Sequence, residues 1–413
     1  MRAAARPDRV REVPQQLGPR LILLLTAALL AAQAPSAAYP HRGEPIGTVR
    51  QIYDGVLTPE LAVNTFRNID RLFPTRLVPA STKPLPLPAA ERSLPAFTFS
   101  DRGASYDLER YLELNRVAGL LILKHGRVVL ERYRFGNTER TRWMSMSIAK
   151  SITSTLVGAA VKQGYIRSLS DSVTRYVPAL IGSAYDGATV QDLLMMSSGV
   201  RWNEAYSDPS SDRRRLLDAQ ISQVPGSALT LMERLPRAAP PGTKQNYNTG
   251  ETQIVAEVLR AAVRRPLATY LSERIWSRFG MEADANWWLD SPDGVEIGGS
   301  GFSATLRDYG RFGLFILGDG VAGTDSVLPA GWVREATTPK TLRDGSALDY
   351  GYLWWPGTRG AFMAMGIHGQ YLYVNPAAGV VIVAWGARPH PTLGQVVDDW
   401  AFCDAVITAV RQD

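Results

Sequence analysis

Two blocks of strand-forming sequence stand far apart in this chain, with a long helical stretch between them, and that separation narrows the folds open to it. Residues 117–124 and 127–134 are apolar and β-branched, and the turn pair His125-Gly126 joins them. They read as a β-hairpin. The same chemistry returns over 362–385: a run at 370–375, a turn at Pro376-Ala377-Ala378-Gly379, then an apolar run from Val380 to Trp385. Helical patterning dominates from 147 to 279, broken by Pro- and Gly-containing loops, and shorter helices are expected at 107–115 and 395–410. The expected fold class is therefore α/β of the α+β type. It is an antiparallel sheet flanked by helices, with an all-helical lobe at roughly 165–290 inserted between its halves.

The sheet domain is expected over 96–413. Residues 39–95 read as an N-terminal extension ending in a Pro-rich linker (78–95) that runs extended over the surface. Ahead of it, residues 1–38 have the pattern of a secretory signal peptide: an Arg-bearing leader, an apolar run at 21–32, and small residues at Ala32-Gln33-Ala34 and Ser36-Ala37-Ala38. A helix that short spans about 18 Å against a bilayer core of about 30 Å. Export to the periplasm without stable membrane insertion is the expectation, with an uncleaved anchor as the alternative.

Composition removes several function classes. The formal charge of +6 draws heavily on the leader, where five Arg face only Asp8 and Glu12 within residues 1–20. The rest carries too little clustered positive charge for a nucleic-acid surface. Cys403 is the only cysteine and the four histidines (41, 125, 368, 390) are scattered, so no metal ligand set or Cys nucleophile is expected. No Gly-Lys dipeptide exists, and Gly298-Gly299-Ser300-Gly301 does not fit a dinucleotide fingerprint.

Ser147-Ile148-Ala149-Lys150 opens the helical stretch, and a spacing of three puts both side chains on one face of the first turn. Unpaired backbone N–H groups there favour an anionic oxygen and work against an ammonium. Only six residues are Lys against 39 Arg, and no other Lys has Ser three places before it. A guanidinium could not replace a lysine that must give up its proton. Tyr247, in Asn246-Tyr247-Asn248-Thr249-Gly250, precedes a second helical run. Gly366-Ile367-His368-Gly369-Gln370 places glycine at a strand end, where backbone can approach a ligand closely and an N–H can face an oxyanion. Taken singly, the three also read as a capped surface helix, a packing tyrosine and a tight turn. No Gly-x-Ser-x-Gly elbow supports a pairing of serine with His368. Trp287-Trp288 and Trp354-Trp355 read as core and lobe-packing residues.

The order and spacing of the three motifs resemble the penicillin-recognising serine hydrolases: class C β-lactamases, D-alanyl-D-alanine carboxypeptidases and related esterases. Within them the chain is most similar to the 6-aminohexanoate-dimer hydrolase branch. Further matching phrases are Tyr176-Val177-Pro178, the run from Val190 to Met195, the run from Ser197 to Trp202, and Gly301-Phe302-Ser303-Ala304-Thr305 with Asp308. The resemblance implies acylation of Ser147, with Lys150 and Tyr247 as a coupled base and acid. It also implies an oxyanion hole from the N–H groups of Ser147 and Ile367, and substrate contacts from Tyr206, Asp208, Gly366 and His368. It implies a small amide or ester substrate and no cofactor or metal. Two departures, Ala364 where a Lys or His is usual and Thr249 where Asn is usual, weaken the case for β-lactam or peptidoglycan substrates. The alternatives are a β-lactamase or D-alanyl-D-alanine carboxypeptidase and, in another class, a catalytically silent muropeptide-binding protein.

Overall fold

The structure is a computed structural model describing residues 39–411; the expected signal peptide lies outside the described residues. Helix α1 (Val49–Asp54) opens with a Thr48–Gln51 capping box, and α2 (Pro59–Phe66) with Thr58 as cap and proline in its first turn. Strand β1 (Thr75–Val78), the Pro-rich stretch and helix α3 (Leu108–Leu114) lead to the expected hairpin, β2 (Val117–Lys124) and β3 (Arg127–Tyr133). Short β4 (Arg142–Met144) runs into α4 (Ile148–Lys162). The helical lobe follows, its longest helices being α5 (Asp212–Ser222) and α6 (Thr249–Val263). Then come β5 (Ala285–Trp288), β6 (Phe302–Thr305) and α7 (Leu306–Leu317). Strands β7 (Trp355–Pro356), β8 (Phe362–Gly366), β9 (Gln370–Asn375) and β10 (Val380–Gly386) precede the closing α8 (Asp399–Arg411).

The main sheet has the order β7-β8-β9-β10-β2-β3 and is antiparallel throughout. Strand alternation divides its side chains between two cores. Leu121, Leu123, Val381 and Val383 join the large core shared with α4 and α7, whereas Leu120, Ile122, Val380 and Ile382 join the smaller core under α8. Helices on both faces explain why β2 and β10 are apolar almost without interruption. Helix α7 lies so close to the sheet that a Cβ on Gly313 would stand 2.4 Å from Val381 Cγ1 and 2.9 Å from Leu372 Cδ1.

Three features differ from expectation. A second antiparallel sheet, β1-β5-β6-β4, stands beside the helical lobe. Its strands have three or four residues, and β5 and β6 are buried on both faces, so no alternation announced them. Residues 39–78 are built into the large core through Ile52, Phe66 and Ile69, each fully buried. The last helix starts at Asp399 rather than 395, because the N–H groups of Val396 and Val397 donate to Asn115 Oδ1 at 3.1 and 3.0 Å and hold that stretch extended.

Gly313→Val should therefore overpack the contact between α7 and the sheet, lowering stability by about 1–3 kcal/mol. The urea midpoint should fall with an unchanged m-value; an unchanged midpoint would contradict this packing.

Candidate active site

Ser147 sits where the small sheet hands the chain to α4. The N–H of Ser145 donates to Phe302 O at 2.7 Å, and Met146 is held at φ +42°, a strained value for a residue with a side chain. Thr58, Thr189, Ser211 and Thr305 each cap a helix by accepting from a backbone N–H, but Ser147 makes no such bond. Its hydroxyl is left for side chains. Lys150 Nζ lies 2.8 Å from Ser147 Oγ and 3.0 Å from Gly299 O. The ammonium position stands 5.4 Å from the Tyr247 ring centroid, and Tyr247 lines the same cleft as Ser147. Residues 147, 150 and 247 are thus brought together at one point.

The walls explain the chemistry of the amine. Lys150 is 2% exposed. The 298–301 loop is wedged between α4 and α6: Thr153 Oγ1 donates to Gly298 O at 2.8 Å, and a Cβ on Gly298 would stand 2.4 Å from Thr252 O. Burial pushes Lys150 down to about 7, with Glu204 acting upward and Arg213 downward. Burial and Glu204 push the Tyr247 phenol up, while its bond to Ser147 acts downward. Tyr247 precedes Asn248, whose side chain caps α6 by accepting from Glu251 N at 3.0 Å. Asn246 N donates to Met196 O at 2.8 Å and Asn246 Nδ2 to Trp202 O at 3.0 Å, fixing that turn.

Strand β8 supplies the opposite wall. A Cβ on Gly366 would stand 2.6 Å from Ser145 O and 3.0 Å from Ser147 N, so only glycine lets the strand end pass this close to the helix start. Ser147, Gly366, Ile367 and Tyr206 all line one open cleft of about 520 Å³. Two expected contacts are absent from it. His368 is 1% exposed, its Nδ1 lies 2.9 Å from Arg388 O and its ring 4.9 Å from that of Phe66; the turn at φ +66° sends it into the core. The Asp208 carboxylate accepts from Ser210 N at 2.9 Å and Ser210 Oγ at 2.7 Å, spending it on its own loop. Ala364 is fully buried in the core.

Other residues in the cleft were not anticipated. Glu204 is among its lining residues and is held by Thr249 N at 3.0 Å, by Thr249 Oγ1 and by Trp202 Nε1. A charged residue two places before Tyr206 was the available signal. Thr249, noted only as a departure, is the residue that anchors it. Trp355 stacks on Tyr247 at 5.9 Å and 24°, while its neighbour Trp354 is core as expected. Met365, Leu393 and Trp400 make the rest of the cleft largely apolar. The cation among its lining residues, Arg388, is engaged by both oxygens of Asp399 at 2.7 Å.

A serine in hydrogen-bond contact with a buried lysine, with a tyrosine beside them, between an antiparallel sheet and a helical lobe, defines a serine hydrolase of the β-lactamase and penicillin-binding type. Comparison with known proteins agrees: residues 113–402 match the family described as Beta-lactamase, and the chain belongs to it. It is 32% identical over 304 residues to the 6-aminohexanoate-dimer hydrolase of Paenarthrobacter ureafaciens, covering 69% of this chain and 76% of that protein. A D-aminopeptidase of Brucella anthropi is 27% identical over 260 residues, 56% of this chain and 47% of the relative. A solved structure assigned as a 6-aminohexanoate-dimer hydrolase from Bacillus anthracis superposes with a TM-score of 0.78 at 24% identity, over 89% of this chain and 98% of that one.

The depressed lysine carries a signed pH signature. An unfolded chain holds the Lys150 proton up to about 10.5, whereas the folded chain releases it near 7. Between those values the unfolded state binds more protons, so stability rises with pH. Lys150→Met should be more stable than the natural chain at pH 7, and the gap should narrow as pH approaches 10. Urea midpoints of both proteins at pH 7 and 9.5 test this, and a constant gap would show that Lys150 is charged in the fold.

Proposed function

We propose that the protein hydrolyses a linear amide or carboxylic ester through an acyl-enzyme on Ser147. The observation that carries this reading is the 2.8 Å approach of Lys150 Nζ to Ser147 Oγ at the base of the cleft. Near neutral pH the buried amine is free to take the serine proton as Oγ attacks the carbonyl carbon. Tyr247, beside the same pair, passes a proton to the leaving group; Lys150 and Tyr247 titrate jointly as one acid–base unit. The N–H groups of Ser147 and Ile367 stabilise the oxyanion, each such donor contributing about 2.7–4 kcal/mol. Water then hydrolyses the acyl-enzyme by the reverse proton path.

The cleft favours uncharged, apolar substituents. Its aromatic and aliphatic lining would receive an alkyl or aryl chain, and Arg388 is already neutralised by Asp399. No cation stands on β8 where a β-lactam carboxylate would need one, since Ala364 is buried and Met365 lines the cleft. Amides and esters are therefore preferred to β-lactams and D-alanyl peptides as substrates. The intact Ser147, Lys150 and Tyr247 also favour an enzyme over a silent muropeptide-binding protein. The relatives named above, an amide-dimer hydrolase and an aminopeptidase, support amide cleavage. The leader at 1–38 supports a periplasmic location, and among the described residues no helix is long and apolar enough to cross a membrane.

A fluorophosphonate probe should label Ser147, and Ser147→Ala should lose turnover by orders of magnitude while keeping its unfolding midpoint. In a side-by-side panel, short esters and linear amide dimers should turn over and penicillins should acylate slowly or not at all. Labelling at another residue, or full activity in Ser147→Ala, would refute the assignment.

A further inference from the structure

Behind the lip of the cleft lies a buried charge that the acyl-transfer scheme does not use. Arg213, near the start of α5, is 1% exposed and has no carboxylate within 4 Å among the described residues. Its guanidinium stands 4.3 Å over the ring of Tyr53 in α1 and donates to the Tyr53 hydroxyl. Its Nε and one terminal nitrogen have no hydrogen-bond partner. Such a group is costly to bury, and an apolar side chain of similar volume would avoid the cost.

The surroundings of Arg213 join it to the active site. Tyr53 stacks on Tyr206 at 6.1 Å and 23°. The backbone N–H of Arg213 donates to Asn203 O at 3.0 Å, holding the segment that carries Glu204. Next to it, Arg214 donates to Asp54 Oδ1 at 2.6 Å and to Tyr206 O at 3.1 Å, and Arg50 pairs with Asp218 across the same helices. Helix α1 lies outside the family-matched span of 113–402, yet it clamps the lip of the cleft from behind.

We propose that Arg213, seated on Tyr53, is a positioning residue that holds the 203–206 lip and opposes the charge of Glu204, setting the pH range in which Lys150 can take the Ser147 proton. The inference rests on the function proposed above. Ser147 Oγ lies 2.8 Å from Lys150 Nζ and the Tyr247 ring centroid 5.4 Å from it; the charges that act on the amine are Glu204 and Arg213, and Arg213 in turn feels Glu204, Tyr53 and Tyr206. Glu204 favours the ammonium and Arg213 disfavours it. In a water-poor interior a fixed charge acts over longer distances than at the surface. Removing Arg213 leaves Glu204 unopposed, and the amine holds its proton to higher pH.

The test is the rate of fluorophosphonate labelling of Ser147 between pH 5 and 10, which needs no knowledge of the natural substrate. Arg213→Met should move the acidic limb upward by about half a unit to one unit, a three- to tenfold slower labelling at pH 6. Its rate at pH 9 should recover toward the natural value. Glu204→Gln should move the limb the other way, and Tyr53→Phe, which keeps the charge, should leave it in place. A limb unmoved in Arg213→Met would overturn the proposal. So would the failure of both Arg213→Met and Arg213→Gln to fold, because Arg213 would then serve folding alone. If the natural chain is not labelled at Ser147 at all, the proposed function fails; a labelled Ser147 with an unmoved limb removes only this inference.

Discussion

Taking an ammonium out of water is unfavourable, and this protein buries Lys150 beside a hydroxyl that has no capping duty. Much of the surrounding architecture serves that placement. Helix α4 brings Ser147 and Lys150 to one face, the 298–301 glycine loop closes over the amine with a single carbonyl, and α6 is capped so that Tyr247 stands beside them. Gly366 lets β8 press against the helix start. With so little solvation the amine gives up its proton near neutrality, which is what the proposed role of Lys150 as a base requires.

The charges around this centre are few and individually anchored. Glu204 is fixed through Thr249 and Trp202, Arg213 through Tyr53, and Arg388 through Asp399. Neither arginine is free to pair with a charged substrate, Glu204 is oriented by neutral donors, and most of the other cleft residues are aromatic or aliphatic. The same economy links the N-terminal helices to the chemistry. Residues that looked like an extension in the sequence carry Tyr53 and Asp54 to the back of the lip.

Local pattern made the main sheet and the three candidate residues of the site legible. The hairpin at β2 and β3, the run through β9 and β10, and the Ser-x-x-Lys helix start each declare themselves within a few residues. The small sheet did not, because β5 and β6 have four residues each and are buried on both faces. Side-chain direction was equally hidden. His368 and Asp208 sit in the right segments, but a positive φ turns one into the core and a local turn occupies the other. Glu204 and Arg213 gain meaning only from contacts with residues distant in the chain, which no local spacing encodes.

In the folded protein the Lys150 amine releases its proton near pH 7, far below an ordinary lysine. With six lysines in the chain, ¹⁵N-lysine NMR of the folded protein, assigned with Lys150→Met, can follow that single Nζ through a pH titration. The expected midpoint is about 7, well below the ordinary lysine value of 10.5. An amine that stays protonated up to pH 10 would contradict it.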